Sequence, residues 1–146
     1  MNRFATAIQH GQADGLARRL DDLSADAHAL DGEGLLDLAI RSYFPGRIAA
    51  VSSFGADAAL LLDMIARIDP ATPVIFLETG KHFPETLRYR DWLITKLGLS
   101  DVRNERPDPR DQQRIDPDAH LWSRDPDACC ALRKVRPLAR ALIGFD

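Results

Sequence analysis

Short apolar runs alternate with helix-length stretches through the middle of this chain, and that alternation restricts the fold more than any other feature. Arg47-Ile48-Ala49-Ala50-Val51-Ser52 reads as a short buried strand, and Pro73-Val74-Ile75-Phe76-Leu77 as a second. Between them Ala56 to Ile68 reads as a helix, with Leu60, Leu61, Met64, Ile65 and Ile68 assigned to its inner face. Asp69-Pro70 stops it, because the residue before a proline is driven out of the helical region. Phe83 to Leu97 forms a further helix, with Pro84 in the first turn and Gly98 closing it. Val102 to Arg106 supplies a third strand. The expected fold is therefore α/β, a mostly parallel sheet with helices on both faces. In such sheets crossovers are right-handed and ligands collect at the carboxyl ends of the strands. The loops Ser52–Asp57 and Glu78–Gly80 both fall there.

The flanks are more helical. Residues 1–30 are rich in Ala, Leu, Asp and Arg, with Leu16, Leu20 and Leu23 at helical spacing, and read as a helical lead-in to an α/β domain over 31–146. His10 and His28 in this segment suit surface or capping roles. Gly34 to Phe44 is a helix ended by Pro45-Gly46. Pro107 to Asp127 reads as a long loop or short helix over the sheet edge. Helical spacing resumes from Ala128 to Leu142, with Pro137 starting a second short helix.

At 146 residues the chain has room for one real core, and its 45% hydrophobic and 28% charged content is that of a globular domain. A formal charge of −3 argues against general nucleic-acid binding, which favours a basic footprint. No apolar run reaches the roughly 18 residues of a membrane span, and the N-terminus lacks a signal-peptide core. Two cysteines without a secretory signal point to a reducing interior, so a cytoplasmic location is expected.

Three stretches could carry chemistry. In Ser52-Ser53-Phe54-Gly55-Ala56-Asp57 small residues join a strand to a helix start, whose amides can meet an anion; the plain alternative is a capped turn. It is neither a Walker loop nor a GxGxxG turn. Leu77-Glu78-Thr79-Gly80, followed by Lys81-His82, either approaches a nucleotide or is an ordinary turn. Neither Glu78 nor Glu85 has a partner placed by sequence for general acid–base work. The third stretch is Cys129-Cys130, the only cysteines, followed by Arg133-Lys134. Adjacent Cα atoms lie about 3.8 Å apart, below the usual bridging range, so the pair cannot close a relaxed disulfide. Cations one turn away favour the thiolate form. Three readings stand: structural cysteines facing a core, half of a metal or iron–sulfur site, or a redox switch. Adjacent spacing counts against a zinc ribbon. His82 and His120 are the available partners for a mixed metal site.

Taken together, these stretches resemble the assimilatory adenylyl-sulfate reductases of the phosphoadenylyl-sulfate reductase family. The resemblance runs from about Ile48 to Asp146. It rests on Ser53-Phe54-Gly55-Ala56-Asp57, on Leu77-Glu78-Thr79-Gly80 with Phe83-Pro84-Glu85-Thr86, and on Cys129-Cys130-Ala131-Leu132-Arg133-Lys134. It implies an adenine nucleotide alpha-hydrolase-like sheet of the PP-loop type, binding adenylyl sulfate at Ser52–Asp57 with residues 77–80 against the nucleoside. It further implies that Cys129 and Cys130 are two of four thiolate ligands to a [4Fe–4S] cluster. Arg133 and Lys134 would set positive charge between cluster and phosphosulfate, with Lys134 assisting catalysis. In the family a C-terminal cysteine attacks sulfur, AMP leaves, and thioredoxin or a similar thiol donor releases sulfite from the enzyme thiosulfonate. Members without the twin cysteine use the 3′-phosphorylated substrate, so the pair here favours adenylyl sulfate. A homo-oligomer is compatible with the resemblance.

The chain departs from the family pattern at Glu78, where aspartate is usual, at Ala56-Asp57-Ala58, and at Arg136, where an acid is usual. The second cysteine pair, an arginine-rich loop and the nucleophilic cysteine are expected beyond Asp146. Without them the chain is expected neither to hold an intact cluster nor to turn over. Three other readings compete: a phosphoadenylyl-sulfate reductase, a PP-loop ATP pyrophosphatase or sulfurtransferase, and a non-catalytic nucleotide- or metal-binding module.

Overall fold

A computed structural model describes residues 30–146 continuously, preceded by residues 15, 18, 20–22, 24, 25, 27 and 28. His10, Leu16 and Leu23 lie outside the described residues. The chain divides into two compact units, 1–48 with Asp146, and 49–145. No helix among the described residues is long and apolar enough to cross a membrane.

In the first unit, helix α1 spans Gly32–Asp37, and the Asp31 carboxylate caps it by accepting from the Gly34 amide at 2.8 Å. The helix runs on as a π-helical segment, Leu38–Tyr43, before the chain turns at Pro45-Gly46.

The second unit is built on three parallel strands in the order β1-β2-β3: Ala50–Val51, Val74–Leu77 and Val102–Glu105. Ala50 pairs with Val74, and Val74 with Val102. The central strand is apolar on both faces, as a strand covered on both sides must be. Val74 and Phe76 point to one face, where they pack with Leu62 of helix α2 (Ala56–Ile68) and Leu93 of helix α3 (Pro84–Leu97). Ile75 points the other way, and the last helix of the chain packs against β2 and β3.

Two sequence expectations change here. The strand read over 47–52 shrinks to an edge pair, and Val51 is 47% exposed rather than buried. The inner face of α2 is Leu62, Ile65 and Ile68, with Ala59 and Ala66 packed beside it; Leu60 and Leu61 are 68% and 43% exposed. A run of consecutive apolar residues fits several helical faces, and only the sheet decides which one is used. The readings of α2, α3 and the third strand as elements hold. Gly98 ends α3 in the left-handed conformation at φ 72°, where a side chain would be strained.

Beyond β3 the stretch read as a long loop or short helix carries two short helices, α4 (Pro109–Ile115) and α5 (Leu121–Arg124). Helix α6 (Pro126–Cys130) then continues through a π-helical turn, Ala131–Val135, into α7 (Arg136–Ala141). Helical dihedrals persist across the junctions at Cys130, Val135 and Arg136. Pro137 therefore lies in the first turn of α7, as expected, although no break in helical dihedrals separates α7 from the turn before it. The wider π turn accommodates the proline, whose missing donor would break a regular α-helical ladder.

Candidate functional site

All three strands are parallel, so their carboxyl ends open on one edge of the sheet. After β1 the chain turns sharply. The Phe54 amide donates to the Ser52 hydroxyl at 3.0 Å, and Phe54 takes φ 55°, a left-handed value uncommon for a non-glycine residue. That turn drives the Phe54 ring into the core, 1% exposed, edge-on to Phe76. Of the segment expected to bind substrate, Phe54 and Ser52 are thus buried, while Ser53, Gly55, Ala56 and Asp57 are exposed. Helix α2 begins at this loop with no side-chain cap on its first amides.

After β2, Leu77 is half-buried, and Glu78 and Thr79 are buried. The Glu78 carboxylate closes the turn by accepting from the Gly80 amide at 3.0 Å. Its other oxygen lies 3.8 Å from the Arg90 guanidinium, which also caps the Phe76 ring and donates to Asn104. The extra methylene of Glu78 is taken up in this turn. The His82 ring also lies against Phe76, tilted by 32° with centroids 4.9 Å apart, and its Nε2 is 3.0 Å from the Leu77 carbonyl.

Asp125 caps α6 through the Ala128 amide, and Pro126 opens it. Cys129 is half-buried and Cys130 exposed; neither is in a disulfide. In the π turn that follows, the Arg136 amide reaches back to the Ala131 carbonyl. Leu132 and Arg133 point inward and Lys134 outward. Lys134 has no hydrogen bond or ion pair among the described residues. Arg133, expected with Lys134 to set positive charge toward the substrate, is buried. Its guanidinium donates to the Asp116 carboxylate and to the Thr79 carbonyl, each at 2.6 Å. The Asp116 oxygen not bonded to Arg133 accepts from the Leu121 amide at 2.8 Å. Burial pushes the Asp116 carboxyl up, but the Arg133 hydrogen bond and the Leu121 amide outweigh it and hold it below the usual range. Arg133 Nε is buried without a partner among the described residues.

Two clefts flank the Thr79–His82 segment. One, of about 890 Å³, lies between the ends of β2 and β3 and is lined by Glu78, Thr79, Gly80, Asn104, Glu105 and Arg140, among others. The other, of about 850 Å³, is lined by Thr79, Lys81, His82, Phe83, Trp122, Pro126, Cys129, Cys130, Arg133 and Lys134. Tertiary structure thus brings the second and third sequence stretches together, whereas residues 52–57 line neither cleft. His120 lies outside both, with Nδ1 2.6 Å from the Asp118 carbonyl. Among the described residues no three His, Cys, Asp or Glu side chains converge on a metal position. Sequence reasoning missed Asp116 and Trp122. Nothing in the Ile115-Asp116-Pro117 sequence signals a partner 17 residues later. Trp122 stands seven residues before Cys129, and with a proline between them that spacing does not by itself place it beside the thiols.

Fold and site together define a parallel α/β protein whose strand ends present a cationic, thiol-lined cleft. The chain belongs to the phosphoadenosine phosphosulfate reductase domain family, whose profile matches residues 47–146. It is 48% identical over 132 residues to an adenosine 5′-phosphosulfate reductase of Mesorhizobium japonicum, covering 90% of this chain and 52% of that one. A phosphoadenosine 5′-phosphosulfate reductase of Gloeobacter violaceus is 36% identical, covering 96% of this chain and 53% of that one. The crystal structure of phosphoadenylyl-sulfate reductase from Candida auris, in complex with phosphate, superposes with a TM-score of 0.68 at 25% identity. It covers 83% of this chain and 59% of that one. The chain spans about half the length of the curated relatives it matches.

Proposed function

We propose that this chain forms the nucleotide- and thiol-bearing part of a reductase that converts adenylyl sulfate to sulfite and AMP at the expense of thiols. One observation carries the reading: Cys129, Cys130 and the unpaired Lys134 share a cleft with Thr79 at the end of the central strand. A phosphosulfate is strongly anionic, and fixed positive charge stabilises it as charge develops on the leaving phosphate. Lys134 supplies that charge on the cleft surface. Arg133 holds the strand-end loop in place. The uncapped amides at the start of α2, outside both clefts, offer a separate anion contact.

Cys129 and Cys130 fit half of the donor set of a [4Fe–4S] cluster. They are vicinal, free of a disulfide and on one cleft wall, and two further thiolates would come from outside these residues. When bound, such a cluster would supply a soft, polarisable centre beside the anion. In the proposed reaction a thiolate from outside the 146 residues attacks the sulfate sulfur, and the S–O bond to AMP breaks with its electrons leaving on phosphate. The resulting thiosulfonate then yields sulfite when a thioredoxin-type thiol attacks the enzyme sulfur. This reading carries a cytoplasmic setting with it. The twin thiol favours adenylyl sulfate over its 3′-phosphorylated form.

Calorimetry with adenylyl sulfate, AMP, ATP and the 3′-phosphorylated analogue tests the binding. Adenylyl sulfate and AMP are expected to bind and ATP to bind poorly; preference for ATP would redirect the reading to a pyrophosphatase. Sulfite release by the 146-residue chain after anaerobic reconstitution is expected to be absent, and to appear in a protein extended to the length of its relatives. An extended protein that binds adenylates yet never forms sulfite would make this a non-catalytic module.

A further inference from the structure

We propose that Asp116 is a positioning residue for the cleft: through Arg133 it fixes the seat of the thiol-bearing helix against the end of β2. This inference rests on the nucleotide-binding reading above and deepens it.

The Asp116–Arg133 ion pair is fully inside the protein, with side chains 0% and 3% exposed. Both carboxylate oxygens are used, one by Arg133 and one by the Leu121 amide that opens α5. The second arm of the guanidinium holds the Thr79 carbonyl. Beside it Gly80, at φ 70°, brings its backbone so near that an added Cβ would lie 3.5 Å from Arg133 Nη1. Asp116 therefore joins three segments that meet at the cleft: the strand-end loop, the start of α5 with Trp122, and the helix of Cys129 and Cys130.

Such a pair is a poor source of net stability, because desolvating two charges offsets most of their attraction. Its distinctive property is directional, since a planar fork with fixed acceptors admits one seating of the helix. The π turn has the complementary effect. Within it Arg133 is buried against Asp116 in the cleft wall, while the next residue, Lys134, stands exposed on the same cleft. Arg133 is spent on the protein, and the charge offered to a ligand is that of Lys134.

The test uses AMP as probe and two variants. D116N preserves volume but removes the charge, and D116L/R133M replaces the pair by apolar side chains that leave no orphaned charge. Both are expected to bind AMP about tenfold more weakly than the parent, the cost of a misplaced contact. AMP affinity within about twofold of the parent, in either variant that melts cooperatively, would overturn the proposal. Failure of both to melt cooperatively would overturn it as well, because the pair would then hold up the fold rather than place the cleft. In a W92F background Trp122 is the sole tryptophan. Its quenching by acrylamide reads the helix seat without ligand and is expected to rise in D116N; unchanged quenching counts against the proposal. If the parent does not bind AMP while quenching still rises, the nucleotide reading fails and the positioning role stands.

Discussion

The Phe54 ring meets the Phe76 ring edge-on, with centroids 5.7 Å apart and planes at 75°, locking the loop after β1 onto the central strand. Phe54 reaches that position only through its left-handed backbone, so the loop shape and the core contact enforce each other.

F54A should therefore cost about 3–5 kcal/mol, the usual loss for emptying a buried phenylalanine site. Urea unfolding of parent and variant measures it. F54L, which refills part of the volume, should recover roughly half of the loss. A loss below about 1 kcal/mol for F54A would show that the loop is not anchored through this ring.

Gly80 is the second backbone constraint. With φ 70° and Arg133 beside its missing Cβ, G80A is expected to lower stability by about 1–2 kcal/mol. A larger effect is expected on AMP affinity than on melting temperature, because the strain falls on the cleft wall. Equal thermal stability of G80A and parent would contradict the strain.

The Asp116 carboxyl should leave its mark on the acid limb of the stability curve. Its folded value lies below the unfolded one, which is about 3.9. Its contribution is thus present above that range and is lost as pH falls through the folded value. D116N should destabilise by about 3 kcal/mol near neutrality, since it strands the Arg133 charge. The gap between parent and variant should narrow below about pH 4. Denaturant melts from pH 7 down to pH 2 follow it, and a pH-independent gap would disprove the assignment.

Lys134 is exposed and unpaired among the described residues, so K134A should leave the melting temperature within about 1 °C. It should nevertheless weaken AMP and adenylyl sulfate by about tenfold, and flatten the dependence of affinity on salt. Calorimetry at two ionic strengths reads both effects. Unaltered affinity would move the anion to the start of α2.

C129S and C130S should each abolish iron retention after anaerobic reconstitution of a protein extended to the length of its relatives, with AMP binding reduced by less than about threefold. Iron analysis and visible absorbance report the first, calorimetry the second. Full iron content in either variant would remove the twin thiol from the ligand set.

Much of the local architecture was legible before any coordinates. Asp69-Pro70, Pro84 and Gly98 mark helix ends by backbone chemistry that acts within a few residues, and the bounds of α2 and α3 follow them. The apolar run at 74–77 announces a strand buried on both faces. The twin thiol and its neighbouring bases were equally plain, as were the loops at the strand ends. The family follows from the order of those stretches along the chain.

Tertiary structure alone decided how the residues are used. Leu62 rather than Leu60 or Leu61 faces the sheet, since a helix with several apolar residues in succession takes the face its neighbours can cover. Phe54, which reads as a site residue, became core once its backbone turned left-handed. Arg133 and Lys134 are adjacent and equally basic in sequence. Both line the cleft, but one is buried and paired with Asp116 while the other is exposed, because an ion pair and its burial depend on packing between segments rather than on spacing within one.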